Sequence, residues 1–286
     1  MSALDQRLLL TQDFALINPL QVDSGLWSDL PTVPLVHAAI NSARPLLPHL
    51  LELRSLEHAQ CVELLERSGR QGRGGRHPYF SALLRSGTGA RELAAELSRK
   101  LLVTAPDRSR ALLRFFDPRV FRHLRWLFDK AQLGSLLGSV EAWSWCDGSG
   151  QWQTQHRGGH SPLPSLRLHA AQWDTLQRLG LLNECLRHVA RMAPGLEMDD
   201  GLACRTDAFL ASAYRQHGLA DAMDRCLFAA QAIVYHPRIH GHPQLAKRLA
   251  SARVGTTSYA TACGDLDDST LRSFASELAP PTRMLA

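Results

Sequence analysis

The sequence predicts an α+β protein: an N-terminal α/β lobe with a mixed sheet, followed by an all-α C-terminal lobe. Three observations carry that reading. Short apolar runs of strand length alternate with helix-period segments as far as about residue 156. Gly158-Gly159 and Ser161-Pro162-Leu163-Pro164 then break the pattern with a stretch suited to a linker. Beyond it strand patterns nearly vanish, and apolar residues recur every three or four positions. The expected domains are therefore residues 1–156 and 165–286.

The elements follow in order. Phe14-Ala15-Leu16-Ile17 is a short apolar strand closed by Asn18-Pro19, Leu50 to Leu53 a second, and Tyr79 to Leu84 a third. A helix is expected over Glu57 to Arg67, ending in a loop from Gly69 to Arg76. Thr88 offers an N-cap for a helix from Ala90 to Leu101, with Glu96 and Lys100 at the supporting i,i+4 spacing. A strand over Ala111 to Phe116 runs into a helix from Pro118. Asp129 and Gln132 form a capping-box pair for a further short helix stopped by Gly138. Val140 to Cys146 and Gln151 to Gln155 flank Asp147-Gly148-Ser149-Gly150, a hairpin pattern. Trp143 and Trp145 share one face of it, with Trp152 available across the turn.

In the second half, Trp173 to Val189 has the period of a long amphipathic helix, ended by Pro194-Gly195. Helices over Ala203 to Gln216 and Asp221 to Tyr235 follow, then two weaker ones over Gln244 to Arg253 and Asp268 to Leu278.

Composition narrows the function classes. With 45% hydrophobic residues in 286, a sizeable core is available. The net charge of +5 falls well short of the clustered excess of a dedicated nucleic-acid binder. MSALDQRLLLTQD carries Asp5 and Asp13 around its leucine run, with no cleavage motif, which argues against a secretory signal. No window has the uninterrupted apolar length of a membrane span. The six cysteines are scattered without a CxxC pair and are expected as reduced thiols in a cytoplasmic protein.

Motifs that carry chemistry are scarce. There is no GxSxG elbow, no HExxH and no GK[ST] after the glycines of Gly69 to Arg76. Asp199-Asp200 and Asp267-Asp268 suit helix starts better than a general acid and base. His236, His240 and His242 could together hold a zinc ion with an open position, or lie in a solvated or partner-facing loop. His156 and His160 give less. The Arg67, Arg70, Arg73, Arg76 series is compatible with phosphate contact but suits a flexible surface loop better. Trp143 and Trp145 suit a core more than an exposed binding face.

The junction in "LLRFFDPRVFRHLRWLF" admits a purely local reading. Asp117 is placed to cap the helix N-terminus, and Pro118 at the first helical position gives up an N–H that had no partner. Arg119, Arg122 and Arg125 would form a solvated stripe, and Val120, Phe121, Leu124, Leu127 and Phe128 the buried one.

"RFFDPRVFRHLRWLFDKAQLGSLLGSVEAW", Arg114 to Trp143, closely resembles the signature of the type VI secretion effector-chaperone (adaptor) family. Phe14 to Ile17 is similar to that family's opening aromatic-Ala-Leu strand, and Pro48 to Leu53 to its Pro-x-Leu-x-Glu-Leu strand. "AYRQHGLADAMDRCLFAAQAIVYHP", Ala213 to Pro237, is similar to its helical region. Asn18 departs from the family's usual Asp, and the Gly69 to Arg76 segment is not part of its pattern.

The resemblance implies a cytoplasmic adaptor-chaperone rather than an enzyme, with no cofactor and no metal. Its partners would be a toxic effector and the VgrG spike, in some members through a PAAR-type tip, with no nucleic acid and no membrane. It implies that Arg114, Phe115, Phe116, Asp117, Pro118, Arg119, with Gly138, Val140 and Trp143, are structural or partner-facing. Arg122, Arg125, Trp145, Tyr214, Tyr235 and His236 are the partner-binding candidates. Two alternatives stand beside it: an immunity protein that neutralises a toxin, and a metal-dependent enzyme built on His236, His240 and His242.

Overall fold

The computed structural model describes residues 4–40, 46–74, 77–159 and 166–278. The chain forms two compact units, Met1–Trp173 and Asp174–Ala286. Their border lies inside a helix, downstream of the Gly/Pro stretch in which the sequence places it. Ser161 to Pro164 of that stretch lies outside the described residues, as do His160, Gly75 and Arg76. The class is α+β, with the strands in the first unit and helices alone among the described residues of the second.

The first unit is built on six strands, β1 (Phe14–Ile17), β2 (Thr32–Pro34), β3 (His49–Glu52), β4 (Ala82–Arg85), β7 (Ala142–Cys146) and β8 (Trp152–His156). Their order is β2-β3-β1-β4-β7-β8, and every neighbouring pair is antiparallel, where a mixed sheet was expected. Between β3 and β4 comes helix α2 (His58–Gly74). The crossover passes over β1, so the two strands that run the same way are not neighbours. β1 is buried at all four residues, which is why its sequence is uniformly apolar rather than alternating. A separate two-stranded ladder pairs β5 (Leu102–Thr104) with β6 (Arg110–Leu112). The remaining helices of this unit are α1 (Gln6–Leu10), α3 (Ala90–Arg99), α4 (Pro118–Leu127) and α5 (Lys130–Leu137).

Both faces of the sheet are covered. On one, Ala15, Ile17, Leu51 and Leu83 pack with Leu64 and Phe80. On the other, Phe121 of α4 stacks on Trp143 (4.8 Å, 12°) and tilts against Trp145 (5.1 Å), with Phe115 edge-on to Trp143 (5.8 Å). Trp152 pairs with Cys146 in register, so it lies opposite to the other two tryptophans and packs on the first face.

Two sequence expectations are corrected here. The loop expected from Gly69 is helical to Gly74. Arg67 donates to both carboxylate oxygens of Asp29 (2.7 Å each), to Glu63 (2.6 Å) and to the Leu26 carbonyl (2.8 Å). Gln71 donates to the Gln21 carbonyl (3.0 Å). These anchors hold the next turn against the poor helix propensity of Gly69 and Gly72. The strand expected through Phe116 stops at Leu112, and Phe115-Phe116 form a turn. Strand alternation would send one phenylalanine to the opposite side, whereas the turn buries both.

The second unit comprises the rest of α6 (Ala170–Met192), α7 (Asp200–Arg215), α8 (Ala222–Val234), α9 (Pro243–Arg253), α10 (Tyr259–Ala262) and α11 (Asp268–Leu278). Asp199 caps α7 through the Leu202 amide (2.6 Å), and Asp267 accepts from the Thr270 amide (2.8 Å). Both acidic pairs are thus helix starts. Asp207 ties α7 to α6 by accepting from Arg178 (3.0 and 2.9 Å) and Thr175 (2.8 Å). The single turn α10 is too short to show a period in sequence; buried Asp224 holds it through the Tyr259 and Ala260 amides (2.9 and 2.8 Å).

Candidate functional site

The site grows from the turn that ends β6. Asp117 has extended backbone angles, and its Oδ1 accepts from the Arg119 amide at 3.0 Å, capping α4 ahead of Pro118. The same carboxylate accepts from Arg119 Nε (3.0 Å) and Nη2 (2.7 Å), from Arg114 Nη2 (3.3 Å) and from Gln21 Nε2 (3.3 Å). Helix cap and arginine partner are here one group. Asp117 is 2% exposed, while the side chains of Arg119 and Arg114 are 51% and 38% exposed. A buried anion therefore orients two surface cations. Burial pushes the Asp117 carboxyl up, but the Arg119 hydrogen bonds and the two positive charges outweigh it and hold it below its usual range.

Three more polar atoms in these residues and the turn after β1 are buried without a partner among the described residues: Asn18 Nδ2, Gln21 Oε1 and Arg114 Nε. Asn18 spends its Oδ1 on the Leu20 amide (3.1 Å). Chemically the arrangement presents planar guanidinium donors, suited to a carboxylate or phosphate group on a binding partner. Gln21 carried no sequence signal, because its contact to Asp117 spans 96 residues.

The rest of the signature supports this corner. Gly138 follows α5 at φ +58°, with Val140 and Trp143 buried beyond it. Glu96 of α3 accepts from Lys100 (2.6 Å) and from the Ser139 amide (3.1 Å), clasping the entry to β7. Sequence spacing revealed the Glu96–Lys100 pair but not its third member.

Arg122 and Arg125 do not form a freely solvated stripe. Both are half-buried, and Arg125 lies 5.1 Å over the Trp145 ring while its Nε points to Gln155 Oε1 (3.4 Å). Trp145 is itself buried beneath Phe121 and Arg125, which corrects its assignment as a partner-facing residue. Val120 and Leu127, expected in the core, are half-buried.

The candidates in the second unit are dispersed. Tyr214 is exposed beneath Arg225, 5.3 Å from its ring. Tyr235 donates to Asp268 (2.9 Å), and burial followed by that bond raises its pKa to about 12. His236 accepts from the Arg238 amide (3.2 Å).

His236, His240 and His242 do not converge. Among the described residues no group of three His, Cys, Asp or Glu is placed to hold a metal. His240 stacks on Phe228 (3.6 Å, 9°) and His242 on Phe274 (3.9 Å, 14°), with His242 Nε2 3.0 Å from Glu277. Their rings serve as core surfaces on two different helices.

His240 supplies a pH prediction. Burial, and then His217, lower its pKa to about 3. The unfolded chain, with an ordinary imidazole, takes up the proton first. The contribution is therefore intact above pH 6.5 and declines as the pH falls towards 3, by about 2 kcal/mol at pH 5. His240→Phe, which keeps the stack, should lose visibly less stability than the parent between pH 7 and 5 in denaturant titrations. Equal acid sensitivity of the two proteins would contradict this.

Residues 35–135 match the family model described as a domain of unknown function, DUF4123. The match covers about a third of the chain. It includes the Arg114 to Arg119 junction and α4 but ends before Gly138 and the β7–β8 hairpin. No curated protein and no solved structure matches the chain. Among the described residues, no helix is long and apolar enough to cross a membrane.

Proposed function

We infer that the protein is a cytoplasmic adaptor that binds a type VI secretion effector and loads it onto the VgrG spike. The observation that carries this reading is the Asp117 junction. Its sequence resembles the adaptor signature, and in the fold a buried carboxylate aims Arg114 and Arg119 outward from a rigid sheet-and-helix corner. Such an arrangement costs buried charge and is suited to recognition, because fixed guanidinium forks lose little freedom when they bind. The DUF4123 match over residues 35–135 includes this junction.

Deleting the gene should abolish delivery of one effector, the one that co-purifies with this protein, while secretion of others continues. Arg119→Ala should weaken that co-purification and also lower stability by about 1–2 kcal/mol, since it strips the buried Asp117 carboxylate of its two shortest guanidinium bonds. Equal loss of every effector on deletion would rule out a dedicated adaptor.

A further inference from the structure

The two edges of the main sheet are built differently. β2 is three residues long and ends in Pro34, which lacks the outward N–H that a further strand would need there. β8 runs for five residues, Trp152-Gln153-Thr154-Gln155-His156, with no proline, no Lys, Arg, Asp or Glu, and no bulge in its register. Gln153, Thr154 and His156 are exposed.

The ladder phase shows which groups of β8 are free. The Asp147 amide donates to the Gln151 carbonyl (2.8 Å) and the Arg157 amide to the Glu141 carbonyl (2.9 Å). With antiparallel alternation, Gln153 and Gln155 turn their N–H and C=O towards β7, and Trp152, Thr154 and His156 turn theirs away. Among the described residues no backbone group meets those outward ones. A side chain does so once, Gln155 Nε2 donating to the His156 carbonyl (2.8 Å).

We propose that β8 is a docking edge for an extended, acidic segment of a partner protein, added to the sheet by backbone pairing. The proposal goes beyond the adaptor reading and does not depend on it. The acidic preference comes from α4. Gln153 and Gln155 share the sheet face on which α4 packs, and Arg125 Nε reaches Gln155. Arg122 Nη1 lies 3.5 Å from where a side chain on Gly148, in the hairpin turn, would begin. A strand added roughly 4.8 Å beyond β8 sets every second side chain on that face, beside the two guanidinium groups. The intervening side chains fall on the Trp152 face and favour apolar residues. The expected occupant alternates acidic and apolar positions.

The probe is a fluorescein-labelled peptide of three Val-Glu repeats, followed by anisotropy with the full-length protein. Thr154→Pro removes an outward N–H and leaves the inward ladder groups in place, as an edge strand tolerates. Thr154→Val keeps that N–H and loses only the hydroxyl contact to Ser144 (2.8 Å). Thr154→Pro should weaken binding about tenfold or more, Thr154→Val less than about twofold, and a Val-Lys peptide should bind about tenfold more weakly. Residue-resolved amide exchange on the unmodified protein gives a readout that does not depend on how the variants fold. Adding the Val-Glu peptide should slow the amides of Thr154 and His156. Unchanged exchange there, or equal binding by the Pro and Val variants, would overturn the proposal. So would a concentration-dependent dimer that protects the same amides without peptide, since a second copy would then own the edge.

Discussion

Gly138→Ala should destabilise the protein by about 3 kcal/mol, the combined scale of a forced positive-φ backbone and a disrupted half-buried ion pair. Gly138 sits at φ +58°, ψ −116°, a conformation that side-chain-bearing residues rarely adopt. A methyl group there would also fall 1.7 Å from Glu96 Oε1 and 2.2 Å from Lys100 Nζ. Those tips could swing away in isolation, but Glu96 is committed to Lys100 and to Ser139. Moving it unfastens α3 from the start of β7. Comparing denaturant midpoints of Gly138→Ala, Glu96→Ala and the double variant separates the two costs. The double variant should fall clearly short of the sum, because removing Glu96 removes the obstacle and leaves the backbone strain. Simple additivity would show that Glu96 is not what the new methyl meets.

Asp117→Ala should cost about 3 kcal/mol, because one substitution removes a helix cap and charge-assisted bonds to a buried group. Asp117→Asn should lose about half of that: the amide oxygen can still cap Arg119, but its N–H₂ cannot accept from the Arg119 fork. The acid side offers an independent check. The carboxyl is held below its ordinary range in the fold, so its contribution is present above the unfolded value of 3.8 and disappears as the pH falls through the folded one. The parent should therefore lose its advantage over Asp117→Asn in strongly acidic solution. Thermal stability and effector co-purification measured together decide the role of the charge. Asn with parental stability but no effector binding would assign the carboxylate to the partner alone. Asn impaired in both would give the carboxylate two roles, one in the fold and one, through Arg119, in recognition.

Features set within a few residues were legible in the sequence. β1 appears at its observed bounds, the Asp129–Gln132 capping box forms, and α6, α7, α8, α9 and α11 lie where apolar period and caps put them. These depend on propensity, on hydrophobic spacing and on side chains bonding to nearby backbone, all of which are local. The same locality made Asp117 recognisable as a cap.

What the tertiary structure decided involves partners far apart in the chain. Helix α2 continues past Gly69 because Asp29 and Gln21 hold Arg67 and Gln71. Phe115 and Phe116 leave the strand because both find a buried place, and Trp152 lies away from Trp143 because the hairpin register turns it over. His240 and His242 stack on Phe228 and Phe274 rather than meeting around an ion. Beside its two neighbouring arginines, Asp117 gains a partner from 96 positions away, Gln21. Side-chain direction is the common cause. The chain's own period says which residues turn inward, but what each of them meets is fixed by packing between segments that the sequence does not place side by side.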